Sequence, residues 1–237
     1  MNRFVLGAVA AATAGAAHAA VFDFEGFEHG RIINTQLAPA LTVSANNFNK
    51  SFDLAITFDS NRTADPNDPD LLFPWDRGNL APTTRLGNLL ILAENNRGAA
   101  DGVLDDPDDE AGTPAGEFTF TFANAVSVFG FDIVDVENAT SENGRIQLFQ
   151  GNSLVVEMAF SELVNPSSAY YDPSVVLGDN SANRIRPFSA TTLGAAGFTR
   201  AVIRLGGSGA VDNLVVPAPA AATLFGLALV GAGRRRR

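Results

Sequence analysis

Hydrophobic and polar residues alternate through the second half of the chain. Phe118, Phe120 and Phe122 alternate with Glu117, Thr119 and Thr121, the period of two that marks a strand with one buried face. Residues 126–136 continue as a second apolar strand. Residues 145–149 and 154–160 flank the turn Gln150-Gly151-Asn152-Ser153 and predict a hairpin. Residues 199–205 place Ala201, Ile203 and Leu205 on one face and Arg200 and Arg204 on the other. A Gly-Gly-Ser-Gly turn at 206–209 leads into a last strand at 210–216, and 54–58 and 89–93 are further strands. A first strand is expected over 21–26. Nothing between the two ends of the chain carries a helical period. Many short strands separated by Gly, Pro, Asn and Asp turns predict an all-β body, a two-sheet antiparallel β-sandwich or jelly roll.

Two connections are too long for ordinary turns, 59–88 and 94–116, and both are acidic. The first carries Asp59, Asp65, Asp68 and Asp70; the second carries Asp101, Asp105, Asp106, Asp108, Asp109 and Glu110. Loops of Asp and Asn between strands supply the oxygen ligands that Ca²⁺ prefers, six to eight at roughly 2.3–2.6 Å. Neither loop has EF-hand spacing. The alternative is a pair of solvated loops in which Asp and Pro simply make turns.

The two ends differ from the body. Residues 1–19 combine Arg3, an Ala-rich apolar stretch and the small-x-small site Ala17-His18-Ala19, which reads as a secretory signal peptide cut after Ala19 and handled by the Sec machinery. Residues 216–237 hold three parts: Val216, Pro217, Ala218, Pro219 and Ala220; an uncharged apolar run; and Arg234, Arg235, Arg236 and Arg237. The run is well short of the ~20 residues that span a hydrocarbon core. It can insert with some bilayer thinning, its arginines remaining on the cytoplasmic side. The domain organisation expected is therefore a signal helix at 1–19, one β-sandwich at 20–215, and a sorting segment with a short hydrophobic helix at 216–237.

This order of motif, apolar helix and arginine cluster resembles the PEP-CTERM sorting signals of Gram-negative bacteria, in the variant with Val-Pro-x-Pro-Ala. Val216, Pro217, Pro219 and Ala220 match it, while Ala218 replaces the Glu of the parent motif. The resemblance implies transient anchoring in the inner membrane and removal of the tail by exosortase. It further implies delivery to the cell surface or extracellular space, often in association with exopolysaccharide and biofilm.

Processing would change the charge. The chain has 16 basic and 26 acidic side chains, a formal net charge of −10. Loss of Arg3 and the four terminal arginines leaves 11 basic side chains and a net of −15, which argues against nucleic acid as a partner. Cysteine is absent, so no disulfide supports the exported body.

The stretch from about 55 to 215 also resembles a β-sandwich module of bacterial extracellular and PEP-CTERM proteins. The matching motifs are Asp68-Pro69-Asp70-Leu71, the strand ending on Glu94, Pro107-Asp108-Asp109, Phe120-Thr121-Phe122, Asp135-Val136-Glu137 and Gly207-Ser208-Gly209-Ala210-Val211. Where the pattern has Gln-Glu-Asp, this chain has Ala93-Glu94-Asn95, so Asn95 brings no charge. The resemblance adds Glu94, Asp135 and Glu137 to the loop acids Asp65, Asp68, Asp70, Asp105, Asp108 and Asp109 as candidate metal ligands. Glu25 and Asp212 form a further candidate pair. The strands that carry them are similar to the first and last strands of carbohydrate-binding jelly rolls, which lie together over a structural Ca²⁺. Asp212 has the alternative role of capping a turn.

Trp75, Tyr170 and Tyr171 stand in predicted loops and are candidate sugar platforms, with Trp75 alternatively pinning its loop. A catalytic centre is not expected. His29 is the only histidine after signal removal, so His/Cys zinc sites and a Cys–His dyad are unavailable. No Gly-x-Ser-x-Gly elbow accompanies it. Paired carboxylates leave a glycoside hydrolase as an outlying alternative. The expected function is a structural or adhesive surface protein, Ca²⁺-stabilised, with an exopolysaccharide-binding module as the alternative.

Overall fold

The computed structural model describes residues 19–65, 68–109 and 111–217. Residues 1–18, Pro66, Asn67, Glu110, and the tail from Ala218 onward, including Pro219, Ala220 and Arg234, Arg235, Arg236 and Arg237, lie outside the described residues, as do both terminal helices expected there.

Period-two alternation produces the expected two antiparallel sheets. The first runs β3 (Ala55–Asp59), β4 (Asn88–Leu92), β11 (Ala210–Pro217), β6 (Val128–Val134), β9 (Ala182–Ser189), with β1 (Ala19–Phe22) against the last four residues of β11. The second runs β2 (Leu41–Asn47), β5 (Gly116–Val126), β10 (Phe198–Leu205), β7 (Arg145–Gln150), β8 (Ser153–Ala159). Two strands were absent from the sequence pattern, β2 and β9. The first strand leaves the sheet after Phe22, where Phe24 takes a left-handed φ of 57°, instead of running to Gly26. Phe160, expected to end β8, instead opens a single helical turn, α1 (Phe160–Leu163). Among the described residues no helix is long and apolar enough to cross a membrane.

Phenylalanines fill the space between the sheets. Phe118, Phe120 and Phe122 of β5 point inward; Phe120 and Phe122 meet Phe129 of β6, and Phe118 and Phe131 extend the row within their strands, with ring centroids 5.7–6.4 Å apart. Phe131 continues the row to Phe160 at 6.5 Å. Each ring buries on the order of 150–250 Å², which makes this row the main source of sandwich stability. The glutamate and threonines between the inward rings face outward.

The first sheet is buried on its outer face as well. Leu90 and Leu92 of β4 enter the inter-sheet core, whereas Leu89 and Ile91 enter a second apolar cluster on the other side. Leu71, Trp75, Leu86 and Leu104, all from the two long connections, close that cluster together with Phe58, Val134, Ala182 and Ala210. This explains why β4 is a continuous apolar run and not an alternating one. The long connections are the covering layer of the first sheet, and they bring their acids to its edge.

Candidate metal centre

Four segments of the chain meet around one end of the first sheet. The segments 68–72 and 105–109 arrive from the covering layer. Asp135 and Glu137 follow β6, and Ser208 and Gly209 form the turn between β10 and β11. Asp135 has a φ of 56° and Gly209 a φ of 135°; a glycine tolerates the latter because it has no Cβ.

Among the described residues two acidic groups result. In one, Asp68, Asp108 and Asp109 each place a carboxylate oxygen within 4.8 Å of the others; in the second, Asp70, Asp135, Glu137 and Asp179 do the same. These clusters could hold a metal ion, and their donor set is oxygen alone, the chemistry of hard cations. The groups adjoin. Ser208 Oγ lies 2.7 Å from Asp135 Oδ2 and 3.1 Å and 3.3 Å from the two oxygens of Asp109. Gly209 N–H donates to Asp109 Oδ2 at 2.5 Å. Asn180 N–H donates to Asp135 Oδ1 at 2.8 Å, and its side-chain amide holds the carbonyls of Asp70 and Leu72 at 3.0 and 2.9 Å.

Burial dominates the electrostatics. Asp68 and Asp109 are 1% and 2% exposed, and among the described residues Asp68 Oδ2 has no N–H or hydroxyl donor. Burial pushes the Asp68 carboxyl up to about 7, aided by the charge of Asp108 and opposed by its hydrogen bond to Asp109. Burial, then the charge of Asp68, raises Asp109 well above the usual carboxylate range. Burial also takes Asp135 to about 7, against the lowering effect of the Ser208 hydroxyl.

Of the sequence candidates, Asp68, Asp70, Asp108, Asp109, Asp135 and Glu137 come together. Asp65, Glu94 and Asp105 stand outside both groups. Asp65 accepts the N–H of Asp68 and faces Arg62 at 3.6 Å. Glu94 faces Lys50 at 3.4 Å. Asp105 packs against Gly98. Glu25 and Asp212 belong to a separate acid patch on the first sheet. There Asp212 is fully buried with Oδ1 unpartnered, and burial takes its carboxyl up to about 9, with Asp132, Glu25 and Asp23 adding to the rise. Arg184 grips Asp132 with two bonds of 2.8 Å. Glu25 Oε1 accepts the N–H of Asn88 at 2.7 Å and lies where a Cβ on Gly87 would be.

The sequence reading missed Asp179, Asn180 and Ser208. Gly178-Asp179-Asn180 has the composition of an acidic turn, but it precedes β9, which the pattern did not show. Ser208 stood in the turn and in the Gly207-to-Val211 motif, with no ligand role assigned to it.

Trp75 is not a sugar platform. It is 2% exposed, donates Nε1–H to Thr84 O at 2.8 Å and packs edge-on against Phe73, so neither ring face is free. It pins its loop to the sheet. Tyr170 packs on Phe188 at 6.2 Å, and Tyr171 is 37% exposed. His29 is half-buried and accepts the N–H of Asp59 through Nδ1. Val216 and Pro217, expected to open a sorting segment, close β11 and belong to the sheet.

Comparison of the chain with protein-family models, with curated proteins and with solved structures gives no match.

The raised carboxyls fix the pH response of the cation-free protein. Their folded-state values lie above the unfolded value of about 3.9, so the folded chain holds more protons through the interval between. The stability these groups contribute is full at low pH and is lost as pH rises, from about 4 to about 7 for Asp68 and Asp135 and onward to about 9 for Asp212. In the presence of chelator, thermal melts at pH 5 and pH 8 are expected to show the lower transition at pH 8. Equal or reversed transitions count against this electrostatic account.

Proposed function

We propose that the chain is an exported structural or adhesive protein of the cell surface or extracellular matrix, sorted by exosortase, whose β-sandwich is stabilised by Ca²⁺. The observation that carries the cation reading is the convergence of acids from segments far apart in sequence on one corner of the first sheet, together with the orphaned Asp68 Oδ2. Buried carboxylates without counter-charge are costly, and a hard divalent cation removes that cost. Ca²⁺ fits better than Mg²⁺ because several carboxylates on irregular loops suit its flexible coordination shell. The sorting reading rests on the three-part tail and the signal peptide.

Glycan binding is the second reading. Tyr170 lines a cleft of about 210 Å³ between the β8 and β9 edges of the sandwich, with Arg186 and Asp172 paired at 3.2 Å on its lining and Tyr171 adjacent in sequence. Aromatic surface beside paired polar groups suits the apolar and hydroxyl faces of a sugar.

Three outcomes are expected. Ca²⁺ at about 100 times its dissociation constant adds about 2.7 kcal/mol by linkage, which raises the melting temperature by about 5–10 °C over chelator; an unchanged transition removes the cation. Protein extracted from the cell surface has a mass lacking Arg234 to Arg237; an intact tail replaces sorting with simple anchoring. Polysaccharide pull-down separates the second reading from the first, since retention lost on Tyr171→Ala or Tyr170→Ala supports glycan binding and absence of retention by the parent chain dismisses it.

A further inference from the structure

The two acidic groups differ in how they meet solvent. Asp70 is half-buried, Glu137 and Asp179 are exposed, and only Asp135 is buried in that group. In the other group Asp68 and Asp109 are buried and Asp108 is half-buried. Among the described residues no lysine or arginine forms an ion pair with Asp68 or Asp109. Asp68 Oδ1 receives the Asp109 N–H at 3.5 Å, while Oδ2 is buried with no N–H or hydroxyl donor among the described residues. A buried carboxylate oxygen with no donor, beside two other carboxylates, lacks the positive partner its burial demands.

The three residues also come from different places. Asp68 belongs to the first long connection, and Asp108 and Asp109 to the second. Asp109 is tied through Ser208 and Gly209 to the turn between β10 and β11. Asp108 is tied through its carbonyl to the N–H of Glu94, at the end of β4. An ion among these carboxylates would join both covering segments to both sheets at once.

We propose that Asp68, Asp108 and Asp109 form a closed site for one hard divalent cation, distinct from the open group of Asp70, Asp135, Glu137 and Asp179, and that this closed site is the tight one. The inference rests on the cation reading above and goes further in assigning the residues, the number of ions held there and the order of filling. The closed site binds first because its carboxylates are desolvated, and attraction between ion and ligand is less screened there. The open group keeps coordination positions facing water and binds more weakly.

The test is calorimetric titration of Ca²⁺ into the chelator-treated full chain, compared with Asp68→Asn, Asp108→Asn and Glu137→Gln. The parent is expected to show one tight event. Asp68→Asn and Asp108→Asn weaken it by about tenfold or more, through the loss of ligand charge, and Glu137→Gln leaves it within about twofold. Asp108 is the less buried of the two, so its variant supplies the reading if Asp68→Asn does not fold, as checked by its chelator-state melt. A parent that binds no Ca²⁺ overturns this site and the cation reading together. A tight event that survives both Asp68→Asn and Asp108→Asn, or that disappears in Glu137→Gln, overturns the closed site alone.

Discussion

The outer face of the first sheet must be kept from water by chain that has almost no regular structure. Leu89 and Ile91 point away from the second sheet and would be exposed if the long connections lifted off. Leu71, Trp75, Leu86 and Leu104 supply the apolar contact, but apolar contact has no direction and does not choose one loop conformation. Direction comes from hydrogen bonds. Trp75 Nε1–H reaches Thr84 O, and the Asn180 amide clasps two carbonyls of the first connection. Asn79 joins the backbone of β9 at Arg184 in both directions, as donor and acceptor. The covering layer is thus fixed at its middle and at its side. The acidic corner is where it meets the sandwich end, and there the chain places mutually repelling groups.

That arrangement sets two requirements against each other. Apolar cover excludes water from the edge of the sheet, and excluding water is what drives the Asp68, Asp109 and Asp135 carboxyls toward their neutral forms. Protonation relieves this strain, and a cation bound here would relieve it too, in competition with the proton. Asp212 faces the same conflict elsewhere on the sheet, where one guanidinium, that of Arg184, is already committed to Asp132.

Much of the sandwich was legible because its inner face follows a strict alternation. The Phe118, Phe120, Phe122 series gives β5 directly, and the face assignment of β10 holds because Ala201, Ile203 and Leu205 are small or aliphatic between outward arginines. β9 was hidden because Asn183 is polar yet buried and Pro187 sits where the pairing with β6 shifts register; the strand tolerates the proline as the edge of its sheet, where a missing N–H breaks no ladder. β2 carries Leu41, Val43 and Ala45 at alternate positions, yet ends on two asparagines that look like a turn. The acidic loops identified themselves by composition. Which acids meet did not, because Asp68, Asp108, Asp135 and Asp179 are neighbours only through the order of strands in the sheet. Trp75 misled for a related reason: a loop in sequence is a surface only when nothing apolar lies beneath it.

The position of β11 has a consequence for how the chain reaches this structure. The last strand lies between β4 and β6, and its end also takes β1 from the other extremity, Ala19 facing Pro217. The first sheet therefore has no centre until the C-terminal end of the body is in place. Before that, the β3–β4 pair and the β6–β9 pair are unconnected halves, with exposed edges and uncovered phenylalanines. Pairing across nearly the whole chain carries a high loop-closure cost and a high contact order, both of which slow folding. Closure of the first sheet thus depends on β11, the last of the described strands, and the order of strands in space runs against their order of synthesis.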